Sequence, residues 1–137
     1  MLARLLALLG LCGRPARVAS SDRARLGALG EEAAARYLAS RGYRILARNY
    51  RCRIGELDIV ALDGEVICFV EVKTRGPDPI FPPSRSVTAR KRRKLRSLAR
   101  HYLRHRKLRN RICRFDVVSV VYPEVGQPQV ELIRHAF

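Results

Sequence analysis

No two of the four cysteines, Cys12, Cys52, Cys68 and Cys113, form a Cys-x-x-Cys pair. Their scatter argues against a zinc knuckle and offers no disulfide framework, which fits a reducing cytoplasm. Long apolar runs are missing too. The one in Met1–Cys12 is too short to span a bilayer, and its lone early Arg4 gives only a faint likeness to a signal peptide. Leu11, before Cys12, is not the small residue a lipoprotein cleavage site wants. Acids are scarce: 12 Asp and Glu stand against 28 Lys and Arg, a formal net charge of +16. That imbalance is what a polyanion-binding surface looks like, although the excess is mostly Arg, which a GC-rich genome also favours.

What is present suffices for one core. A chain of 137 residues with 47% hydrophobic content is about one domain long. Residues 1–20 read as a flexible N-terminal extension, with Arg14-Pro15 to Ser21 as linker, and residues 21–137 as a single domain.

The stretch from Gly55 to Lys73 carries most of the information. β-branched and aromatic residues flank Asp63-Gly64, which predicts a hairpin with that dipeptide as its two-residue turn. Register follows by counting: Leu62 opposite Glu65, Val60 opposite Ile67, Asp58 opposite Phe69 and Glu56 opposite Glu71. All of these share one face with Lys73. Leu57, Ile59, Ala61, Val66, Cys68, Val70 and Val72 make the reverse equally apolar, so both faces are expected to be buried, as in a central α/β strand pair. Carboxylates crowded at one end of such a hairpin repel each other. A divalent cation with oxygen ligands, helped by Lys73, would meet that charge; solvated charges on an exposed strand end are the competing reading.

Before the hairpin, a helix is expected from Ser21 or Asp22 to Ser40, with Gly42 past its end and Leu26, Gly30, Ala33, Ala34, Tyr37 and Leu38 inward. Glu31 is four residues before Ala35 and seven before Leu38, so it leans toward the packed side. Tyr43 to Tyr50 alternates as a first strand, with Ile45 and Ala47 on one side and Leu46 and Arg48 on the other. After Lys73, the proline-rich run Thr74 to Pro83 reads as a stiff loop beside the charged cluster.

A second helix is expected from Val87 to about His105, capped by Ser86 or Thr88, with Leu95, Leu98, Ala99, Tyr102 and Leu103 inward and Lys91 packed by its stem. Arg90, Lys91, Arg92, Arg93, Lys94, Arg96 and Arg100 have no acid among them, and the basic run continues through Arg104, Arg106, Lys107, Arg109 and Arg111. A solvated helix interleaves both signs. Unbroken positive charge reads as a sequence-neutral phosphate-backbone surface. His101 and His105 are spaced for a metal but lack a third ligand. Phe115 to Tyr122 and Val130 to Ile133 complete the strands.

Gly27-x-x-Gly30-Glu31, Asn49-Tyr50-Arg51, Gly55-Glu56-x-Asp58, Phe69-Val70-Glu71-Val72-Lys73, Lys91-Arg92-x-x-Leu95 and Arg114-Phe115-Asp116-Val117 resemble the YraN family of small bacterial proteins. That family in turn resembles the restriction-endonuclease-like superfamily, Holliday junction resolvases included. The resemblance implies an α/β fold with a central mixed sheet of about five strands flanked by helices. It also implies a Mg²⁺- or Mn²⁺-dependent nuclease acting on structured or branched DNA, with a non-catalytic nucleic-acid-binding protein of the same fold as the alternative. Asp58 and Glu71 would bind the metal with the carbonyl of Val72, Lys73 would orient the attacking water, and Glu31 matches the helical acid of the resolvases. Glu56 is an extra acid, and Leu57 stands where the superfamily pattern often has proline. A cytoplasmic protein with no membrane partner is expected, and a homodimer stays open.

Overall fold

The structure, a computed structural model, describes residues 20–77 and 87–137. The expected N-terminal extension, apart from Ser20, and most of the proline-rich loop lie outside the described residues. In chain order come α1 (Ser20–Ser40), β1 (Arg44–Cys52), β2 (Gly55–Asp63), β3 (Val66–Arg75), α2 (Ala89–His105), β4 (Cys113–Val121) and β5 (Gln129–Ile133). The strands form one sheet in the order β1-β2-β3-β4-β5. Neighbouring strands are antiparallel except β3 and β4, which run parallel and are joined through α2. The fold is thus α/β and restriction-endonuclease-like, with a mixed five-stranded sheet between two helices.

Each sheet face has its own core. α1 packs Ala34, Ala35 and Leu38 against Ile59, Ala61, Cys68, Val70, Val118 and Val120. Small residues let this helix lie close: a methyl group on Gly30 would sit 1.8 Å from Thr74 Oγ1 on β3. α2 covers the other face with Leu95, Leu98, Ala99 and Tyr102 over Val60, Ile67, Phe69 and Val117. Each of its large apolar side chains contributes roughly 1.5–3 kcal/mol on burial. Thr88 caps α2, its side chain accepting from the Lys91 amide at 3.3 Å.

Four local expectations are corrected. The β2–β3 turn is Gly64-Glu65, because Asp63 pairs with Val66. Gly64 has φ +59° and Glu65 is not left-handed, the φ signs of a turn with glycine in its first central position. Asp63 is freed to be the last strand residue, where Arg114 holds it. The register therefore runs Leu62 with Ile67 and Val60 with Phe69, two residues from the expected one, so Glu56 does not face Glu71. A two-residue slip preserves which residues share a face. In β1 a bulge between Ile45 and Ala47 sends Ala47 to the α2 side with Leu46, leaving Ile45 on the α1 side. Leu57 also packs on the α2 side, where β2 has parted from β3 and pairs with β1 alone. Finally, Thr74 and Arg75 belong to β3 because β4 pairs with them through Val120 and Val121.

A buried ionic network fastens the end of the sheet near the hairpin turn. Arg114 Nε donates to both oxygens of the fully buried Asp116 at 3.0 Å, and its Nη2 reaches Asp63 Oδ2 and Tyr43 Oη at 2.8 Å each. The His135 amide donates to Asp116 Oδ1 at 3.1 Å. The same guanidinium holds the Asp63 carboxyl below its ordinary pKa.

Candidate functional site

At the other end of the hairpin the β2–β3 ladder opens. Its last pair is Ile59 with Val70, and the next step along the same register is Asp58 with Glu71. Instead of continuing the ladder, Asp58 Oδ2 accepts the Val72 amide at 2.9 Å. A cavity of about 360 Å³ lies here, lined by Glu31, Glu56, Asp58, Glu71, Lys91, Lys94, Leu95 and Leu98. Three layers feed it. Glu31 is delivered by α1 beside the close contact of Gly30 with β3, Asp58 and Glu71 by the central strands, and the lysines by α2.

Glu31, Glu56 and Asp58 each offer a carboxylate oxygen, all within 4.8 Å of one another. Burial is the main force raising the Asp58 pKa to about 7; the charges of Glu71 and Glu31 add to it, and the Val72 hydrogen bond opposes it. The cluster therefore carries an electrostatic cost that a cation would remove. Carboxylate oxygens are the donors Mg²⁺ or Mn²⁺ takes, so the residues fit the metal that the resemblance implies. Glu71 is 9% exposed and ion-paired with Lys91. Lys73 is half-buried, and its pKa is lowered chiefly by burial and then by Lys91, against the attraction of Glu71. It stands beside the cavity rather than in its wall. Val72 takes part through its amide.

Asn49 is the residue that sequence reasoning passed over. Oriented with its amide nitrogen toward the acids, it donates to Glu56 Oε1 and Glu31 Oε2 at 2.9 Å each. Its backbone is left-handed, φ 50°, a conformation asparagine tolerates better than most residues. Its place in the Asn49-Tyr50-Arg51 run was the available signal. Arg51 adds an ion pair to Glu56 at 3.2 Å.

Along α2 the basic residues divide. Lys91 and Lys94 turn into the cavity. Arg90, Arg93, Arg96 and Arg100 are exposed, whereas Arg92 is half-buried, donating to the Val87 carbonyl at 2.8 Å and lying over the Phe137 ring. His101 Nδ1 is 2.8 Å from Tyr50 Oη.

Residues 30–120 match the uncharacterised protein family UPF0102, which is the YraN family. A UPF0102 protein of Moorella thermoacetica is 53% identical over 116 residues, covering 84% of this chain and 97% of the relative. One from Pelotomaculum thermopropionicum is 46% identical over the same length and coverage, and one from Syntrophus aciditrophicus is 46% identical over 113 residues, 82% of this chain and 88% of the relative. The chain belongs to UPF0102. The matched region begins at Gly30, where α1 meets β3, and ends in β4, so it contains every residue lining the acidic cavity. Of the runs that carry the YraN resemblance, those around Glu31, Asn49, Asp58, Glu71 and Lys91 converge on that cavity. The run at Arg114 serves the opposite end of the sheet. Among the described residues of this UPF0102 chain, no helix is long and apolar enough to cross a membrane.

Proposed function

We propose that this UPF0102 chain is a divalent-cation-dependent nuclease that hydrolyses phosphodiester bonds in structured or branched DNA. The observation carrying the reading is the convergence of Glu31, Glu56 and Asp58, with carboxylate oxygens within 4.8 Å of one another, in a cavity shared with Glu71, where burial chiefly raises the pKa of Asp58. Such a strongly perturbed carboxylate in a cleft is a physical mark of a functional site. Asp58, Glu31 and Glu56 would hold Mg²⁺ or Mn²⁺, and Glu71, ion-paired with Lys91, would be the further acid beside it. A bound divalent ion supplies charge stabilisation at a transferring phosphoryl group. Asn49 holds Glu31 and Glu56 in place. Lys73, its pKa lowered by burial, positions the attacking water and offsets developing negative charge. The exposed Arg90, Arg93, Arg96 and Arg100 hold flanking phosphates without reading sequence.

Purified protein assayed on linear, forked and junction DNA with Mg²⁺ or Mn²⁺ tests this. Cleavage is expected to vanish in Asp58→Asn together with metal-induced thermal stabilisation. Lys73→Ala should keep the metal response and lose turnover. A wild-type protein with neither stabilisation nor cleavage would leave a non-cleaving nucleic-acid binder as the better account. The Lys91 to Glu71 ion pair is what favours that second reading, since it neutralises one acid without a metal.

A further inference from the structure

A second cavity, larger than the acidic one at about 560 Å³, opens where α2 ends, lined by Arg104, Lys107, Leu108, Arg109, Asn110 and Arg111. Four of these six residues are cations. None of the four forms an ion pair with an acid among the described residues. The walls are built rather than draped. The Leu108 amide donates to the Leu103 carbonyl at 2.8 Å and the Lys107 amide to the Arg104 carbonyl at 3.2 Å, the paired bonds that close a helix around a left-handed residue. The left-handed residue here is Lys107, φ 57°, where glycine would be cheaper by roughly 1 kcal/mol. The Arg111 amide then bonds the Leu108 carbonyl at 3.2 Å, closing a further turn. Leu103 and Leu108 both pack into the α2-side core, which pins the loop and leaves its charged neighbours outward.

The geometry points to a phosphate-binding pocket that takes the terminal phosphomonoester of a nucleic-acid strand. Arginine forks suit phosphate oxygens, and Asn110 adds an amide that can donate to them. Charge selects the end of a strand over its interior, because a phosphomonoester carries about −1.5 to −2 at neutral pH and an internal phosphodiester only about −1. Position agrees, and here the inference rests on the nuclease reading of the acidic cavity. Lys94, in the acidic cavity, and Arg104, in the basic one, are ten residues apart on a single helix, about 15 Å at 1.5 Å per residue. At a rise of about 3.4 Å per nucleotide, that spans about four steps of a strand. Exposed Arg96 and Arg100 lie between. A strand end seated in the basic pocket would hold the bond about four nucleotides inward at the acids.

Three labelled oligonucleotides, identical except for a 5′-phosphate, a 3′-phosphate or hydroxyls at both ends, test the pocket by fluorescence anisotropy in EDTA. One phosphorylated end is expected to bind about tenfold tighter than the hydroxyl control, the scale of one added charge-assisted contact. The double variant Arg109→Gln/Arg111→Gln should erase the preference and bind the control within a few-fold of wild type. Lys107→Gly should weaken the preference while raising the melting temperature, so loss of binding cannot be loss of folding. Equal affinity for all three strands overturns the proposal, as does a preference that survives the double variant. A nucleoside monophosphate binding as tightly as the phosphorylated strand overturns the strand-end assignment. Asp58→Asn should retain the preference. If it does while the wild type cleaves nothing, the nuclease reading fails alone; cleavage without end preference sinks this proposal alone.

Discussion

Lys91 of α2 is ion-paired with Glu71 of β3, so the most buried acid of the cavity is neutralised from the opposite layer. An ammonium in that position competes with a metal ion for the same carboxylate. Lys91→Met is expected to destabilise the metal-free protein by on the order of 1 kcal/mol, below the 3–5 kcal/mol of a fully buried pair because Lys91 is 49% exposed. Mg²⁺ should then raise the melting temperature of the variant by more than it raises that of the wild type. Equal shifts in thermal melts would show that the lysine and the ion do not compete.

Asp58 makes stability depend on pH with an unusual sign. Its pKa rises from the ordinary 3.8 to about 7 in the folded protein, so between these values the folded state holds a proton that the unfolded chain has released. Stability of the metal-free protein therefore falls as pH climbs through that window and levels off above it. Urea titrations across the window should show the decline. Asp58→Asn should flatten it and leave the protein more stable near neutrality. A slope unchanged by the substitution would assign the effect to other groups.

Gly30→Ala should disturb the site from the reverse side of the sheet. The added methyl would meet Oγ1, Cγ2 and Cβ of Thr74 at 1.8, 2.6 and 2.7 Å, so α1 must shift, and Glu31 with it. A loss of roughly 1–3 kcal/mol is expected, the usual cost of overpacking, along with weaker metal stabilisation. Thr74→Gly in the same chain removes all three contacts and should restore part of the melting temperature. Failure of that rescue would place the strain elsewhere.

Arg114→Met should be the most damaging of these changes although it lies away from the cavity. It leaves Asp116, with no exposed surface, without the guanidinium that pairs with it. Removing one partner of a buried pair costs about 3–5 kcal/mol. Denaturant midpoints would measure it, and a loss under 1 kcal/mol would mean that water reaches Asp116 freely.

The layers of this fold were readable because apolar residues crowd both faces of β2 and β3 while α2 is apolar along one stripe. The misplaced turn did no harm to the face assignment, since its error equalled the two-residue period of a strand. The bulge at Ile45 and Ala47 was not readable, because no turn residue marks it and both neighbours are apolar. Glu56, Asp58 and Glu71 were visible as a cluster along one stretch of chain, and Glu31 as a helical acid leaning toward the packed side. Asn49 was not, because its role depends on a left-handed backbone that brings two distant glutamates to one amide. Lys91 and Lys94 looked like the rest of a uniformly basic helix. Only the docking of α2 on the sheet separates the lysines that enter the cavity from the arginines that stay in solvent.

The parting of β2 from β3 after Ile59 and Val70 gives the cavity a spectroscopic witness. The Val72 amide proton is held by the Asp58 carboxylate rather than by a strand carbonyl, so its resonance and its exchange with solvent follow the charge on that one side chain. Protonation, a metal ion or an arriving phosphate would each move the signal differently, while the paired amides of Ile59 and Val70 stay still. A single backbone nucleus can thus report what occupies the site.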